Sequence, residues 1–86
     1  MNISVELTFL PLTDKFETHI IAFIKRLKAS GFNVLENPLS TQIYGDYEEV
    51  MHFLSTEIKQ SFEAIEMGVF NVKIVKTDRS GYQSNF

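Results

Sequence analysis

Residues 37–51, NPLSTQIYGDYEEVM, decide the fold of this chain. The Asn-Pro pair interrupts the chain, and residues 39–44 are then typical of a β-strand. The Gly-Asp pair that follows ends this strand. Asp46 with Glu49 three residues later matches an N-cap and an acidic N3 residue, which predicts a helix over about 47–66.

Before this stretch, residues 32–37 read as another short strand. Its short connection to the next strand predicts an antiparallel hairpin. Upstream, the sequence predicts a helix over 15–30, with Asp14 as its N-cap and Gly31 closing it in the left-handed conformation. The helical spacing is carried by Phe16, Ile20, Phe23, Ile24 and Leu27.

The two ends of the chain complete the pattern. Residues 2–10 alternate apolar and polar side chains up to Pro11, which predicts a half-buried strand, and residues 69–76 alternate in the same way. The element order is βαββαβ, and right-handed crossovers then place both helices on one face of a four-stranded antiparallel sheet. We therefore expect an α+β, ferredoxin-like domain over residues 1–77, followed by a loose polar tail over 78–86.

Two helices cover one face of this sheet and leave the other face open. The apolar residues of the first strand face the helices, and its open side carries Ser4, Glu6 and Thr8. The fourth strand is expected to bury Phe70, Val72 and Ile74 and to turn outward Asn71, Lys73 and Val75. The third strand exposes either Thr41 and Ile43 or Ser40, Gln42 and Tyr44, and we favour the second set.

This open face has two interpretations. It is either a solvated face, as is common in antiparallel sheets, or a subunit contact with a polar cleft at its edge. Glu6 is central to the second interpretation because a carboxylate between hydroxyls can accept from an amino group or balance a cation. It could equally form a cross-strand pair with Lys73, worth under about 1 kcal/mol.

Composition narrows the function. A net charge of −3 does not suit a nucleic-acid binder, and 44% hydrophobic residues with no cysteine indicate a folded domain without disulfides or thiolate metal ligands. His19 and His52 are far apart on predicted helices, so we expect no catalytic constellation, no metal and no cofactor. A chain this short is marginally stable alone, which favours a homo-oligomer. The first residues resemble no signal peptide and no segment is long enough to span a membrane, so we expect a cytoplasmic protein.

Residues 5–11 and 37–51 together resemble the small thiamine-binding proteins related to YkoF. The shared pattern is a strand ending in proline, a helix, an Asn-Pro-x-x-Thr strand, and a Gly-acid-aromatic-acid-acid-Val-Met start of the second helix. The resemblance spans about residues 3–76. By position, Glu6 matches the family's strand-1 acid and Thr41 its strand-3 threonine, while Asn37 stands where many members have glycine.

The resemblance implies a fold that assembles through sheet faces and edges into homodimers or homotetramers. It also implies non-catalytic binding of thiamine, a small cation, or of its hydroxymethylpyrimidine half, as a carrier, buffer or transport accessory. The expected ligand-binding residues are Glu6, Thr8, Asn37, Ser40, Thr41 and Tyr44. The alternative is a regulatory or structural oligomerisation domain without a small-molecule ligand.

Overall fold

Strands and helices follow one another along the chain in the order predicted from its sequence. The computed structural model describes all 86 residues. The elements are β1 (Asn2–Pro11), α1 (Phe16–Lys28), β2 (Asn33–Glu36), β3 (Thr41–Asp46), α2 (Tyr47–Glu63) and β4 (Gly68–Lys76). The ferredoxin-like βαββαβ prediction is confirmed. Neither helix is both long and apolar enough to cross a lipid bilayer.

The four strands form one antiparallel sheet in the order β2-β3-β1-β4. Leu7 of β1 is paired with Thr41 on one side and with Val72 on the other. Directly opposed residues of antiparallel strands project from the same face of the sheet. Thr41 therefore lies on the helix side with Leu7, and Gln42, opposite Glu6, lies on the open side. The favoured assignment of the third strand is confirmed.

The core lies between the sheet and the two helices. Phe9 of β1 and Phe70 of β4 are stacked, with ring centroids 4.2 Å apart. Phe23 of α1 meets both rings edge to face, at 5.8 and 5.0 Å. This geometry suits the charge distribution of aromatic rings and fixes α1 over β1 and β4. The buried apolar residues are Ile3, Val5, Leu7, Phe9, Phe23, Leu27, Ile43, Val50 and Leu54.

The start of α1 differs from the prediction. The residue at the N-cap is Lys15, and it makes no side-chain capping hydrogen bond. The assignment of Asp14 as the N-cap is therefore wrong. The backbone N–H of Leu12 donates to the carbonyl of Met67 at 2.9 Å, so the chain stays tied to the segment before β4 and turns into the helix later than expected.

Two other helix ends agree with the sequence. Gly31, just after α1, has a φ of +89°, the left-handed conformation that glycine adopts without steric cost. At the start of α2, the side chain of Asp46 accepts a hydrogen bond from the backbone N–H of Glu49 at 3.3 Å. Both were predicted from residue type and spacing alone.

The edge strand β4 is only partly covered. Val72 and Ile74 lie on the helix side, as predicted, but they are 42% and 46% exposed. Their assignment to the core is therefore wrong. The helices pack mainly on β1, β2 and β3 and contact β4 through Phe70, so Val72 and Ile74 farther along this edge strand stay uncovered. Of the three predicted core residues of β4, only Phe70 packs beneath the helices, where its ring contacts those of Phe9 and Phe62.

A charged clamp joins the two helices. Arg26 of α1 donates through Nε to Glu57 Oε2 at 2.5 Å and through Nη2 to the hydroxyl of Ser61 at 2.7 Å, both on α2. The Arg26 guanidinium also lies 6.0 Å from the ring centroid of Phe23. Ser61 is buried and the Glu57 side chain is only 13% exposed, so both depend on this one donor.

We expect Arg26→Ala to lower the free energy of unfolding by about 1–3 kcal/mol, because it leaves a mostly buried carboxylate and a buried hydroxyl without their partner. Urea unfolding measures the change. The matched control is Lys25→Ala, an exposed neighbour on the same helix, whose effect should stay within about 0.5 kcal/mol. Equal effects of the two substitutions would show that the clamp adds nothing to stability.

Candidate functional site

The difference in length between β1 and β3 opens a cleft at one end of the sheet. Their pairing ends at Leu7 and Thr41, so residues 8–11 of β1 are paired with β4 alone. The loop of residues 37–40 and the inner face of α1 enclose the unpaired side of this segment. The cleft has a volume of about 200 Å³. Its apolar wall includes Leu7, Phe9, Leu10, Ile20, Phe23 and Ile24, and its polar lining is Thr8, Asn37, Ser40 and Thr41.

The side chain of Asn37 shapes the loop at the mouth of the cleft. Its Oδ1 accepts hydrogen bonds from the backbone N–H groups of Ser40 (3.2 Å) and Leu39 (3.4 Å), and its Nδ2 donates to Gln42 Oε1 (3.1 Å). The backbone N–H of Asn37 also donates to the carbonyl of Ser40 at 3.1 Å. Asparagine at this position therefore folds the loop through its own side chain, as such residues do in turns.

Ser40 connects the cleft to the open face of the sheet. Its hydroxyl donates to Glu6 Oε2 at 3.0 Å and accepts from Gln42 Nε2 at 2.6 Å. Glu6 and Gln42 are cross-strand neighbours on the open face. A carboxylate has about four acceptor positions, so Glu6 can still accept from a ligand. Side-chain hydrogen bonds thus run from Asn37 through Gln42 and Ser40 to Glu6, and they orient the Glu6 carboxylate from the loop.

Thr41 is 6% exposed and lines the cleft from the helix side of the sheet. Its hydroxyl makes none of the side-chain hydrogen bonds within the protein, yet no fully buried side-chain oxygen or nitrogen lacks a partner. The hydroxyl therefore retains some accessible surface, and because Thr41 lines the cleft it is a candidate donor to a bound molecule. Thr8, on the open side of β1, lines both the cleft and a shallow groove around Glu6.

Five of the six predicted ligand-binding residues come together at this end of the sheet, and Tyr44 does not. Tyr44 is opposite Ser4, at the other end of the open face. It is four residues from Ser40, which places it roughly 13 Å away along the strand. It therefore does not line the cleft.

Sequence reasoning missed part of the site. Ile20, Phe23 and Ile24 have helical spacing, and the sequence assigns them to the core, but each also forms the cleft wall. No signal in the sequence separates a cleft wall from a core face, because both require apolar residues on the same side of a helix. His19 and His52 line no part of the cleft, and no group of three His, Asp or Glu residues is placed to hold a metal ion.

The chain just beyond β4 is hydrogen-bonded to the open face through residue 79. The buried hydroxyl of Ser4 donates to the carbonyl of Thr77 and accepts from the backbone N–H of Arg79, both at 2.8 Å. Further along, hydrogen bonds from the side chain and backbone of Ser80 lower the pKa of the exposed Asp78 carboxyl below its usual value.

Solved structures with the same architecture support the fold assignment, although no protein-family model and no curated protein matches the sequence. A Streptococcus pneumoniae protein superposes with a TM-score of 0.85 at 23% identity, over 94% of this chain and 92% of that chain. A candidate thiamine biosynthesis/salvage protein from Thermotoga maritima has a TM-score of 0.81 at 16% identity, over 99% and 91% of the two chains. A domain of unknown function from Bacillus cereus has a TM-score of 0.77 at 14% identity, over 96% and 83%. The chain therefore shares the fold of these proteins, and the resemblance to the YkoF-related thiamine-binding proteins is confirmed at the level of the fold.

Proposed function

We propose that this chain binds thiamine or its hydroxymethylpyrimidine half without changing it chemically, as a carrier, buffer or transport accessory, and needs no cofactor. The observation that carries the proposal is the convergence of Thr8, Asn37, Ser40 and Thr41 on one apolar-walled cleft, with Glu6 bonded to Ser40 at its border. The likeness to a candidate thiamine biosynthesis/salvage protein supports the same ligand class.

The chemistry of an aminopyrimidine fits this lining. The ring is flat and apolar on its faces, which suits a cleft walled by Phe9, Phe23 and aliphatic side chains. Its exocyclic amine needs an acceptor, which Glu6 offers. Its ring nitrogens need donors, and the hydroxyls of Thr8 and Thr41 can supply them, whereas the Ser40 hydroxyl already donates its one proton to Glu6.

The size of the cleft favours the pyrimidine half over the whole vitamin. Pockets that enclose a drug-sized ligand measure roughly 300–1,000 Å³, and this cleft has about 200 Å³. A single ring can enter it, while the remainder of a larger ligand extends onto the open face or toward a second copy of the chain.

Glu6→Gln tests the binding role of the carboxylate. We expect the dissociation constant for hydroxymethylpyrimidine, measured by isothermal titration calorimetry, to rise at least about 10-fold, since a charge-assisted hydrogen bond is worth about 1.5–3 kcal/mol. The matched control is Glu36→Gln, a strand carboxylate on the helix side that pairs with Lys28. Unchanged binding by both variants would remove Glu6 from the site, and no binding by the unmodified protein would reject the proposed function.

We also propose that the chain forms a homodimer or homotetramer through its sheet. Exposed apolar side chains border the open face, and the outer backbone edge of β4 is not hydrogen-bonded to another strand. Those apolar residues are Leu10, Leu35, Val69 and Val75. A second copy would cover them and add the stability that a chain of this size lacks alone.

A structural oligomerisation domain is the second candidate function, and the exposed Val72, Ile74 and Phe62 beside the β4 edge favour it. Thermal unfolding distinguishes the two. A melting temperature that rises with thiamine or hydroxymethylpyrimidine, but not with an unrelated organic cation, supports the binding function. A dimer by sedimentation with no shift from any pyrimidine supports the structural one.

A further inference from the structure

The residue that turns the tail onto the open face has an unfavourable backbone conformation. Thr77 has a φ of +131°, and it is the only residue other than glycine with a positive φ. This conformation is a clear outlier for a β-branched residue, and it persists only where surrounding contacts hold it. Three hydrogen bonds hold this turn in place. The Thr77 N–H donates to the Asn2 carbonyl (3.1 Å), and the Ser4 hydroxyl donates to the Thr77 carbonyl and accepts from the Arg79 N–H.

The consequence of this turn is the position of Arg79. Its backbone is anchored to Ser4, and its guanidinium lies 5.5 Å from the ring centroid of Tyr82. Arg79 thereby lines a groove of about 130 Å³ on the open face, together with Ser4, Glu6, Gln42, Lys73 and Val75. A chain that simply continued along β4 would not bring a basic residue back over the first strand.

Lys73 and Arg79 are both without a carboxylate partner. The ion pairs of the structure are formed by the amino terminus with Asp46, by Arg26 with Glu57 and by Lys28 with Glu36. Lys73 is directly opposite Glu6 but makes no ion pair with it, and the Glu6 carboxylate accepts from Ser40 instead. The groove thus holds two cations and one carboxylate, in a chain whose net charge is −3.

We propose that Lys73 and Arg79 bind a phosphate group, so that the preferred ligand is a phosphate ester of the aminopyrimidine rather than the free alcohol. This inference rests on the proposed function and specifies the ligand class of the same site. Guanidinium and ammonium groups are the side chains that proteins use to bind phosphate oxygens. The Ser4 backbone anchor gives Arg79 the preorganisation that a free tail residue lacks.

The groove is continuous with the cleft. Thr8 is shared by the cleft and the shallow groove around Glu6, and Glu6 and Lys73 are shared by that groove and the Arg79 groove. Ser4 is two residues from Glu6, or roughly 7 Å along the strand. A phosphate joined by one methylene to a ring that contacts Glu6 would therefore extend toward the groove that Lys73 and Arg79 line.

Titration calorimetry with hydroxymethylpyrimidine and with its phosphate ester tests the inference. We expect the ester to bind the unmodified protein at least about 10-fold more tightly, and this preference to shrink as salt is raised. The double variant Lys73→Gln/Arg79→Gln should lose the preference while its affinity for the alcohol changes less than about 2-fold. The control Lys76→Gln lies on the same strand but on the helix side and should keep the preference.

A titration with inorganic phosphate separates this inference from the proposed function. Its readout is the NMR shift of the backbone amide signals of residues 4, 73 and 79. Shifts that saturate, and that vanish in the double variant, support the phosphate subsite even if no pyrimidine binds. Equal affinity for the alcohol and the ester overturns the subsite and leaves the proposed function intact. Absence of both the ester preference and the phosphate shifts also overturns it.

Discussion

Ile20→Trp is expected to raise the dissociation constant for hydroxymethylpyrimidine at least about 100-fold, a loss of about 2.7 kcal/mol. Ile20 is a partly buried residue of α1 whose side chain forms one wall of the cleft. An indole ring at this position would occupy much of the roughly 200 Å³ that the ligand ring needs. Titration calorimetry measures the change.

The matched control for this prediction is Ile21→Trp. Ile21 is the next residue of the same helix, is 50% exposed, and lines no cavity. Its substitution should leave binding unchanged within about 2-fold. Equal affinity of the two variants would place the ligand somewhere other than the cleft, provided that both retain the melting temperature of the unmodified protein.

Leu27→Ala is expected to lower the free energy of unfolding by about 2–5 kcal/mol. Leu27 has 0% exposure and lies at the centre of the core, so its truncation removes buried methyl groups and leaves a cavity. At about 0.05–0.15 kcal/mol per residue, a domain of this size has a total stability of roughly 4–13 kcal/mol. One substitution can therefore remove a large part of it. Chemical denaturation measures the change.

The control for the core prediction is Ile21→Ala, an aliphatic truncation on the solvent side of α1. It should cost less than about 1 kcal/mol, because half of the side chain is already in water. A Leu27→Ala effect as small as that of the control would mean that the core of the isolated domain is loosely packed and that assembly supplies most of the stability.

The fold could be predicted because each element carries its own signal. Period-2 alternation marks β1 and β4, helical spacing marks α1 and α2, and Asp46 and Gly31 mark helix ends by local hydrogen bonding and backbone freedom. The two fold-level errors have tertiary causes. The tie between Leu12 and Met67 moves the start of α1, and the position of β4 at the edge leaves Val72 exposed.

The candidate site was predicted less completely than the fold. Glu6 could be identified as a carboxylate between hydroxyls on the open side of β1, and the resemblance to the thiamine-binding proteins pointed to Asn37 and Thr41. Ile20 could not be identified as a cleft residue, and Tyr44 could not be excluded, because both assignments depend on where β3 stops pairing with β1. Arg79 could not be identified either, since its position depends on a hydrogen bond across 75 residues of sequence.

The sequence alone determined the element order, the faces of β1 and, within residues 37–51, the N-cap of α2 at Asp46, because these follow from periodicity and local backbone chemistry. The same stretch that predicted the second helix also contains Ser40 and Thr41. Which residues lie next to these two in space depends on the pairing of the strands in the sheet. Only the tertiary structure decided that Ser40 meets Glu6, that Thr41 opens into a cleft behind the strand, and that the tail returns Arg79 to the open face. Contacts between residues far apart in the chain depend on strand register and strand length, and these cannot be predicted from a local sequence pattern.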